Sequence, residues 1–274
     1  MRRYAKAPLL LSFLAAAAAL WAFAPVLALG GQDTGFLPRS LSFRGEVRRY
    51  EVYVPADWTP DKKWPVILFL NGTGERGSDG VAETTSGFGP ALKAHPERFP
   101  AVVVFPQCPG GYWWTSPGMT GLAMKALKKE IKEFHGDKRR IYLTGISMGG
   151  YGVWRMAVDH PGFFAALTPI SGAVHSPASI PEIPPAIDLL PGQDPFAALA
   201  EKIGATPVWV FHDADDPLVS VADDRRIAAA FAGRPAFHYT ELTGYGHLAW
   251  LGAYADAAWA RWLFAQQKPA APAR

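Results

Sequence analysis

Short apolar segments recur along the chain and alternate with segments that have the period of a helix. Residues 66–70 (VILFL) and 101–105 (AVVVF) contain no polar side chain, which is typical of strands buried on both faces of a sheet. We predict four further strands of the same sheet, at residues 140–144, 164–170, 207–212 and 236–242.

Amphipathic helices are predicted between these strands. Residues 121–136 place Leu122, Leu127 and Ile131 on one side and lysines on the other, as expected for a helix that covers a sheet. Strands that alternate with helices imply right-handed crossovers, so we predict an α/β fold with a mostly parallel central sheet and helices on both faces. Further helices are predicted at residues 148–161, 221–232 and 248–267.

The ends of this pattern define the predicted domain. Residues 41–54 alternate apolar and polar side chains on both sides of Gly45, which predicts two antiparallel strands. We therefore predict a single domain over residues 41–267, preceded by a linker at 31–40 and followed by a disordered tail at 268–274.

A proline-rich segment at residues 175–195 interrupts the alternation between the fourth and fifth buried strands. Two interpretations are open: a small lid that passes over one edge of the sheet, and a long surface loop. The shape of a pocket at that edge depends on which of them is correct.

The N-terminal residues have the pattern of an export signal. Arg2 and Arg3 precede an uncharged stretch at residues 7–29, which is typical of a secretory signal peptide over residues 1–30. An uncleaved membrane anchor is the alternative, because the stretch is long enough to span a bilayer. The alanine content and Pro25 favour cleavage, so we expect a secreted or periplasmic protein without a stable membrane partner.

Composition narrows the class of protein. The 274 residues are 49% hydrophobic and 19% charged, with a net charge of +3, which fits a globular domain with a sizeable core. Lysines and arginines are scattered rather than clustered, so we expect no nucleic-acid partner. Cys108 is the only cysteine, so no intrachain disulfide can form, and its proline- and glycine-rich loop favours a structural role over a catalytic one.

Ser147 lies between two glycines, directly after a predicted strand and before a predicted helix. Residues 145–149 (GISMG) fit the pattern G-x-S-x-G, in which a sharp strand-to-helix turn exposes a serine hydroxyl. The glycines keep Cβ atoms out of the crowded turn, and the helix N-terminus faces the negative charge that develops in acyl transfer. This context predicts that Ser147 is a nucleophile.

A serine nucleophile needs a base and a carboxylate that orients the base. His247 lies in a glycine-bracketed loop after the last predicted strand, and Asp213, Asp215 and Asp216 follow the fifth buried strand. Asp216 is the favoured partner of His247, with the other two aspartates making turn contacts. The chain order Ser147, Asp216, His247 is that of α/β-hydrolases.

The glycine-rich segment NGTGERGSDG at residues 71–80 follows the first buried strand. A loop at this place turns backbone N–H groups toward the nucleophile, so we predict that the amides of Thr73 and Met148 form an oxyanion hole. A tight turn without a chemical role is the alternative for these glycines.

With these residues in place, the chain resembles the α/β-hydrolase family of secreted esterases known as phospholipase/carboxylesterase, feruloyl-esterase-like or predicted peptidase proteins. The resemblance implies Ser147, Asp216 and His247 as the triad. It also implies hydrolysis of carboxylic esters, often aryl or acyl groups on plant polysaccharide, without a metal or other cofactor. The matching stretches lie within residues 45–265 and are YEVYVPADW, WPVILFLNGTGERGSD, VVVFPQCPGGYWW, RRIYLTGISMGGYGVW, VWVFHDADDPLVS and YGHLAW.

Two positions depart from the family pattern. Asn71 stands where the family usually has a histidine that supports the oxyanion loop, and Leu248 stands where an aspartate often follows the catalytic histidine. Trp113 and Trp114 lie on the loop after the second buried strand. Both are candidate residues for stacking on an aromatic acyl group, and we expect one of the two to pack in the core instead.

The expected function is that of a secreted serine esterase acting on a small-molecule or polysaccharide-linked ester. A serine peptidase of the prolyl-oligopeptidase type uses the same triad, but those enzymes usually carry a large extra domain. A catalytically silent carbohydrate-binding protein with a hydrolase fold is the third hypothesis. Nothing in the sequence indicates an oligomeric state.

Overall fold

The structure is a computed structural model that describes residues 33–188 and 192–270. The predicted signal peptide at residues 1–30 therefore lies outside the described residues, as do the last four residues of the predicted tail. Among the described helices, none combines the length and hydropathy needed to cross a bilayer.

One mostly parallel sheet organises the described chain, as predicted. Its spatial order is β1-β2-β4-β3-β5-β6-β7-β8, in which β1–β2 and β2–β4 are antiparallel and all other neighbours are parallel. The strands are β1 (Gly35–Phe43), β2 (Glu46–Val54), β3 (Trp64–Leu70), β4 (Val102–Pro106), β5 (Gly136–Ile146), β6 (Ala166–Ile170), β7 (Val208–Asp213) and β8 (Phe237–Leu242).

Helices connect the parallel strands, and two of them were not predicted. The predicted single helix at 248–267 is wrong, because it is divided at Asp256, whose carboxylate accepts the N–H of Ala258 at 2.7 Å and starts a second helix. Helices α1 and α4 are additional. The helices are α1 (Phe88–Ala94), α2 (Met119–Glu133), α3 (Met148–Asp159), α4 (Pro195–Ile203), α5 (Ala222–Ala230), α6 (Trp250–Ala255) and α7 (Ala257–Ala265).

The apolar core lies in two layers, one on each face of the sheet. Alternate residues of β3 divide between them: Leu68 belongs to the layer under α2–α5, and Phe69 to the layer under α1, α6 and α7. Successive side chains of a strand point to opposite faces. This is why β3 has no polar position and why its continuous apolar pattern predicted a strand buried on both sides.

The predicted linker at residues 31–40 is wrong over its second half. Strand β1 begins at Gly35 and pairs along its length with β2, and the ring of Phe36 contacts that of Tyr53 at 5.2 Å between centroids. Pro38 obscures the strand pattern in the sequence, because proline is disfavoured inside a sheet. It is tolerated because β1 is an edge strand, where a missing N–H leaves no ladder bond unmade.

The predicted disordered tail needs a correction at its first residue. The backbone N–H of Lys268 donates to the carbonyl of Arg139 at 3.0 Å. The Nζ of Lys268 donates to the carbonyl of Phe163 at 2.6 Å. Lys268 is therefore bound to the edge of the domain.

The proline-rich segment at 175–195 packs on the outside of α3 where the structure describes it. Ile183 and Ile187 are buried in the same apolar layer as α3, and Asp188 accepts a hydrogen bond from Arg155 of that helix at 2.8 Å. The segment ends at Asp194, whose side chain accepts the first two free N–H groups of α4. Its described part is thus anchored at both ends, with residues 189–191 outside the description.

Candidate active site

Ser147 occupies a strained turn between β5 and α3. Its backbone has φ +51° and ψ −119°, a combination that non-glycine residues rarely adopt. Three hydrogen bonds hold it there. Its N–H donates to Ile170 at 2.9 Å, and its carbonyl accepts from Gly150 at 2.7 Å and Tyr151 at 3.2 Å. The side chain is thereby held at the carboxyl end of the sheet.

The two glycines of the G-x-S-x-G pattern are required by close backbone contacts. A Cβ atom on Gly145 would lie 2.6 Å from the carbonyl oxygen of Gly149, and one on Gly149 would lie 2.0 Å from that of Leu70. No side chain fits at either position without moving the backbone. The turn therefore brings the start of α3 against the end of β3.

The structure brings Ser147, His247 and Asp216 together, although 100 residues separate the serine from the histidine. The hydroxyl of Ser147 lies 2.8 Å from Nε2 of His247, and Nδ1 of His247 lies 2.8 Å from Oδ2 of Asp216. In the tautomer that satisfies both contacts, Nδ1–H donates to the carboxylate and Nε2 accepts from the hydroxyl. This arrangement is able to take a proton from Ser147.

The side chain of Asp216 is fully buried and receives four hydrogen bonds. Its Oδ1 accepts the backbone N–H groups of Leu218 at 2.8 Å and Val219 at 3.0 Å, and its Oδ2 faces the rings of His247 and His212 at 2.8 and 3.2 Å. Burial alone would raise the pKa of Asp216, but these donors outweigh it and hold the pKa well below its usual range. Asp216 is therefore an anion at every pH of interest.

Of the other two aspartates of this loop, only Asp213 makes the predicted turn contacts through its side chain. Asp213 is buried, and its carboxylate accepts the N–H of Asp215 at 3.0 Å and the N–H of Tyr245 at 2.9 Å. The second bond ties the loop that bears Asp216 to the loop that bears His247. Asp215 is exposed. The three carboxylates therefore do not crowd one site.

Thr73 and Met148 each begin a helical turn, and this leaves their amides free. Thr73 is the first residue of a 3₁₀ turn after β3, and Met148 is the first residue of α3. Neither N–H has an acceptor within the described part of the chain. The first N–H groups of a helix have no partner inside it, so both are available to an anion.

Asn71 supports the loop that carries Thr73. The side chain is buried, its Oδ1 accepts the N–H of Cys108 at 3.1 Å, and its Nδ2 donates to Gly72 at 2.7 Å. Asn71 thus joins the loop to the chain after β4. Burial raises the pKa of the Cys108 thiol to about 12, which fits a structural cysteine rather than a nucleophile.

The prediction that Trp114 binds substrate is wrong. Trp114 is completely buried, and its indole N–H donates to the carbonyl of Asn71 at 3.0 Å. It therefore packs in the core and supports the loop that carries Thr73. Trp113 is only half-buried, and the guanidinium of Arg76 lies 4.2 Å from its ring centroid. Because Arg76 also donates to the carbonyl of Thr73 at 3.2 Å, Trp113 lies beside this loop. Its role in binding remains a prediction.

Sequence analysis missed His212 and Asp224. Both are buried, and they contact each other and, through His212, Asp216. The only signal in the sequence is that His212 precedes Asp216 by four residues.

No group of three or more His, Cys, Asp or Glu side chains in the described ranges is placed to hold a metal ion.

Comparisons with known proteins identify the fold. No family model and no curated protein matches the sequence. Among solved structures, a thermostable esterase is 30% identical with a TM-score of 0.71, covering 85% of this chain and 63% of the esterase. The chain therefore spans less than two thirds of that protein's length.

Two more distant structures share the fold. The substrate-bound fluorophosphonate-binding serine hydrolase F of Staphylococcus aureus is 15% identical with a TM-score of 0.62, covering 82% of this chain and 98% of that protein. A ferulic acid esterase from Anaeromyces mucronatus in complex with ferulic acid is 12% identical with a TM-score of 0.60, covering 85% and 90%. By its sheet, its connections and these likenesses, the chain has the α/β-hydrolase fold.

Proposed function

We propose that the protein is a serine carboxylic-ester hydrolase. The observation that carries the proposal is the continuous relay from the Ser147 hydroxyl through His247 to Asp216, with both contacts at 2.8 Å. Ser147 lies on a strained strand-to-helix turn, which is where α/β-hydrolases carry their activated serine. The thermostable esterase with 30% identity supports the same reaction class.

The proposed reaction uses this geometry. His247 takes the hydroxyl proton as Oγ of Ser147 attacks the ester carbonyl, and the carbonyl oxygen becomes negatively charged. The intermediate collapses, the alcohol leaves with the proton from His247, and an acyl-serine remains. Water then attacks the acyl group with His247 as base, which releases the acid and restores Ser147.

The amides of Thr73 and Met148 are the proposed donors to the oxyanion. A donor of this kind contributes about 3 kcal/mol to the transition state. The macrodipole of α3 adds to this effect because its positive end begins at Met148. Asp216 keeps His247 in the tautomer that accepts from the serine and stabilises the ring once it is protonated.

The proposed substrates are aryl or short-acyl esters of the feruloyl or acetyl type. Trp113 supports this choice, because it is a half-buried aromatic ring next to the loop that carries Thr73. The ferulic acid esterases among the structural neighbours are consistent with it. Export through the N-terminal signal at residues 1–30 is part of the proposal and rests on sequence alone.

Ester hydrolysis by purified protein tests the proposal. The substrates are p-nitrophenyl esters from acetate to decanoate, together with methyl ferulate. Ser147→Ala is expected to lower kcat by on the order of 10⁴-fold or more. Ser171→Ala is the matched control, because Ser171 is also buried with a positive φ of 49° but its hydroxyl reaches only the backbone carbonyl of His247, at 3.5 Å.

Equal rates in wild type and Ser147→Ala would contradict the proposed nucleophile. Cleavage of a proline-containing peptide without ester turnover would point instead to a peptidase. Carbohydrate binding without any turnover would point to a silent hydrolase fold.

Variants of Trp113 test the substrate class. Trp113→Ala is expected to lower kcat/KM for methyl ferulate by about tenfold and to leave p-nitrophenyl acetate nearly unchanged, because only the larger acyl group reaches the ring. Tyr112→Ala, at an exposed neighbouring ring, is the control. Equal losses on both esters would remove Trp113 from the acyl site.

A further inference from the structure

A second histidine contacts the same carboxylate oxygen of Asp216 that His247 contacts. His212 is at the end of β7 and is completely buried. Its Nε2 lies 3.2 Å from Oδ2 of Asp216 and 3.0 Å from the carbonyl of Val219. Its Nδ1 lies 2.6 Å from Oδ2 of Asp224, a buried residue of α5. The relay from Ser147 therefore continues past Asp216 by two more residues.

Hydrogen-bond chemistry assigns the protons of His212. The carbonyl of Val219 is only an acceptor, so Nε2 carries a hydrogen that points at both Val219 and Asp216. The contact between Nδ1 and Asp224 needs one further proton, held on the ring or on the carboxyl. With that proton, His212 and Asp224 together are neutral, and the charge of the group that includes Asp216 is −1.

The surroundings favour retention of this proton. Burial would lower the pKa of His212, but hydrogen bonds to Asp216 and Asp224 and their charges raise it to about 10. Burial raises the pKa of Asp224. Both shifts keep the proton within the pair across the neutral range. The remaining titratable or charged side chains that act on this group are Tyr151 of α3, Asp223 of α5, Tyr239 and Glu241 of β8, and His247.

We propose that His212, held by Asp224, is a positioning residue with two effects on Asp216. It fixes the orientation of the Asp216 carboxylate, and it weakens the hydrogen bond between that carboxylate and the Nδ1 proton of His247. This inference rests on the proposed function. Oδ2 of Asp216 is shared between two imidazole rings, and each donor that it accepts draws charge from it. With His212 in place, Asp216 orients His247 and still lets the proton pass to the leaving alcohol.

Loss of His212 has two expected consequences. The carboxylate of Asp216 loses one of four donors, so the orientation of His247 becomes less well defined and kcat falls. Asp216 also holds protonated His247 more tightly, so the acid limb of kcat/KM moves to higher pH. A residue with a merely structural role would lower stability without moving the pH profile.

The first test uses the wild-type protein and therefore cannot fail through misfolding. Histidine ring nitrogens are followed by ¹⁵N NMR between about pH 5 and pH 8.5, a range that brackets the ordinary histidine pKa. We expect the ring of His212 to show no titration in this range and Nε2 to stay protonated. Titration of His212 near its ordinary pKa would overturn the proposal.

The second test compares variants at His212. His212→Leu removes the donor to Asp216, and we expect a fall in kcat of about 100-fold with an acid limb shifted upward by about half a pH unit or more. His212→Gln keeps an N–H donor of similar reach and is expected to recover about tenfold of kcat. An unchanged pH profile in folded His212→Leu would overturn the proposal.

A matched control is available in the same region. His175 pairs with Asp223 at 3.1 Å and is half-exposed, with no contact to Asp216. His175→Leu is therefore expected to leave kcat and the pH profile unchanged. If His212→Leu does not fold, Asp224→Asn serves instead: the ring of His212 is then expected to titrate within the NMR range, and an unaltered spectrum would contradict the assignment.

The outcomes separate this inference from the proposed function. A wild-type protein that neither hydrolyses esters nor reacts at Ser147 contradicts the proposed function, and the NMR titration still decides the protonation of His212. An active enzyme in which His212 titrates freely contradicts the inference alone.

Discussion

Two carboxyl side chains of this protein, Asp216 and Glu83, are equally removed from solvent, yet their pKa values move in opposite directions. Asp216 accepts four hydrogen bonds, and its pKa lies well below the usual range. Neither oxygen of Glu83 makes a hydrogen bond of good geometry with the described residues. Burial raises the pKa of Glu83 to about 8 and outweighs the backbone N–H groups of Glu83 and Glu51, which lower it.

Hydrogen-bond donors, more than burial, decide the charge of these two buried carboxyl groups. Asp216 lies in a turn whose N–H groups point back at it, between two histidines. Glu83 lies in a 3₁₀ turn at Ala82–Thr84, and the charged side chains that act on it, Glu51 and Asp79, are both acidic. The first environment keeps a carboxylate ready for use, whereas the second keeps a neutral acid.

The largest expected effect comes from removing the charge of Asp216. Asp216→Asn is expected to lower kcat by about 10⁴-fold, because an amide no longer selects the His247 tautomer that accepts from Ser147. Steady-state ester hydrolysis measures this loss. Glu83→Gln is the matched control at the other buried carboxyl, with an expected kcat within about twofold of wild type. Equal effects of the two substitutions would contradict the comparison.

A smaller effect is expected from Glu83, whose ionisation changes the free energy of unfolding with pH. Its pKa is raised from 4.5 in the unfolded chain to about 8 in the fold, so the folded state binds the proton more tightly. The contribution of Glu83 to stability is therefore most favourable below about pH 4.5 and falls as pH rises toward 8. In Glu83→Gln this fall is absent, a difference of about 4 kcal/mol between pH 4.5 and pH 8.

Urea unfolding of wild type and Glu83→Gln at about pH 4.5 and pH 8.5 measures this difference. A buried glutamine amide changes stability equally at both values, so only the change with pH is diagnostic. A wild-type protein whose stability relative to the variant does not vary with pH would show that Glu83 ionises freely.

The smallest expected effect comes from Asp213, a buried carboxyl that accepts two hydrogen bonds, both from backbone N–H groups, where Asp216 accepts four. Asp213→Asn keeps one acceptor oxygen and loses the other, so one bond between the loops of Asp216 and His247 is lost. We expect a loss of about 1–2 kcal/mol of stability and a fall in kcat of about tenfold. Thermal unfolding and ester hydrolysis test both, and a fall in kcat as large as that of Asp216→Asn would mean that Asp213 orients His247.

Much of the fold was predictable because the sheet leaves a local signal. Strands β3 and β4 are buried on both faces, so their apolar runs are continuous and easily found. Strand β1 was partly missed because an edge strand tolerates Pro38. The break at Asp256 depends on a single capping carboxylate in a segment that otherwise has a helical composition.

The three residues of the relay were predictable for a similar reason. Ser147 lies in a pattern that only a crowded turn requires, and His247 and Asp216 follow strands that end at the same edge of the sheet. The pairing of His212 with Asp224 depends on how α5 packs against β7, which no local pattern records. Trp113 and Trp114 are neighbours in sequence, and only tertiary packing decides which of them is buried.

Labelling with a fluorophosphonate, followed by peptide mapping by mass spectrometry, tests whether Ser147 is an activated nucleophile. Activated Ser147 attacks the phosphorus and expels fluoride, so one adduct is expected on the peptide that contains Ser147. Ser147→Ala is expected to carry none, and Asp216→Asn to react far more slowly than wild type. Folded wild-type protein that forms no adduct at Ser147 would contradict the assignment of Ser147 as the nucleophile.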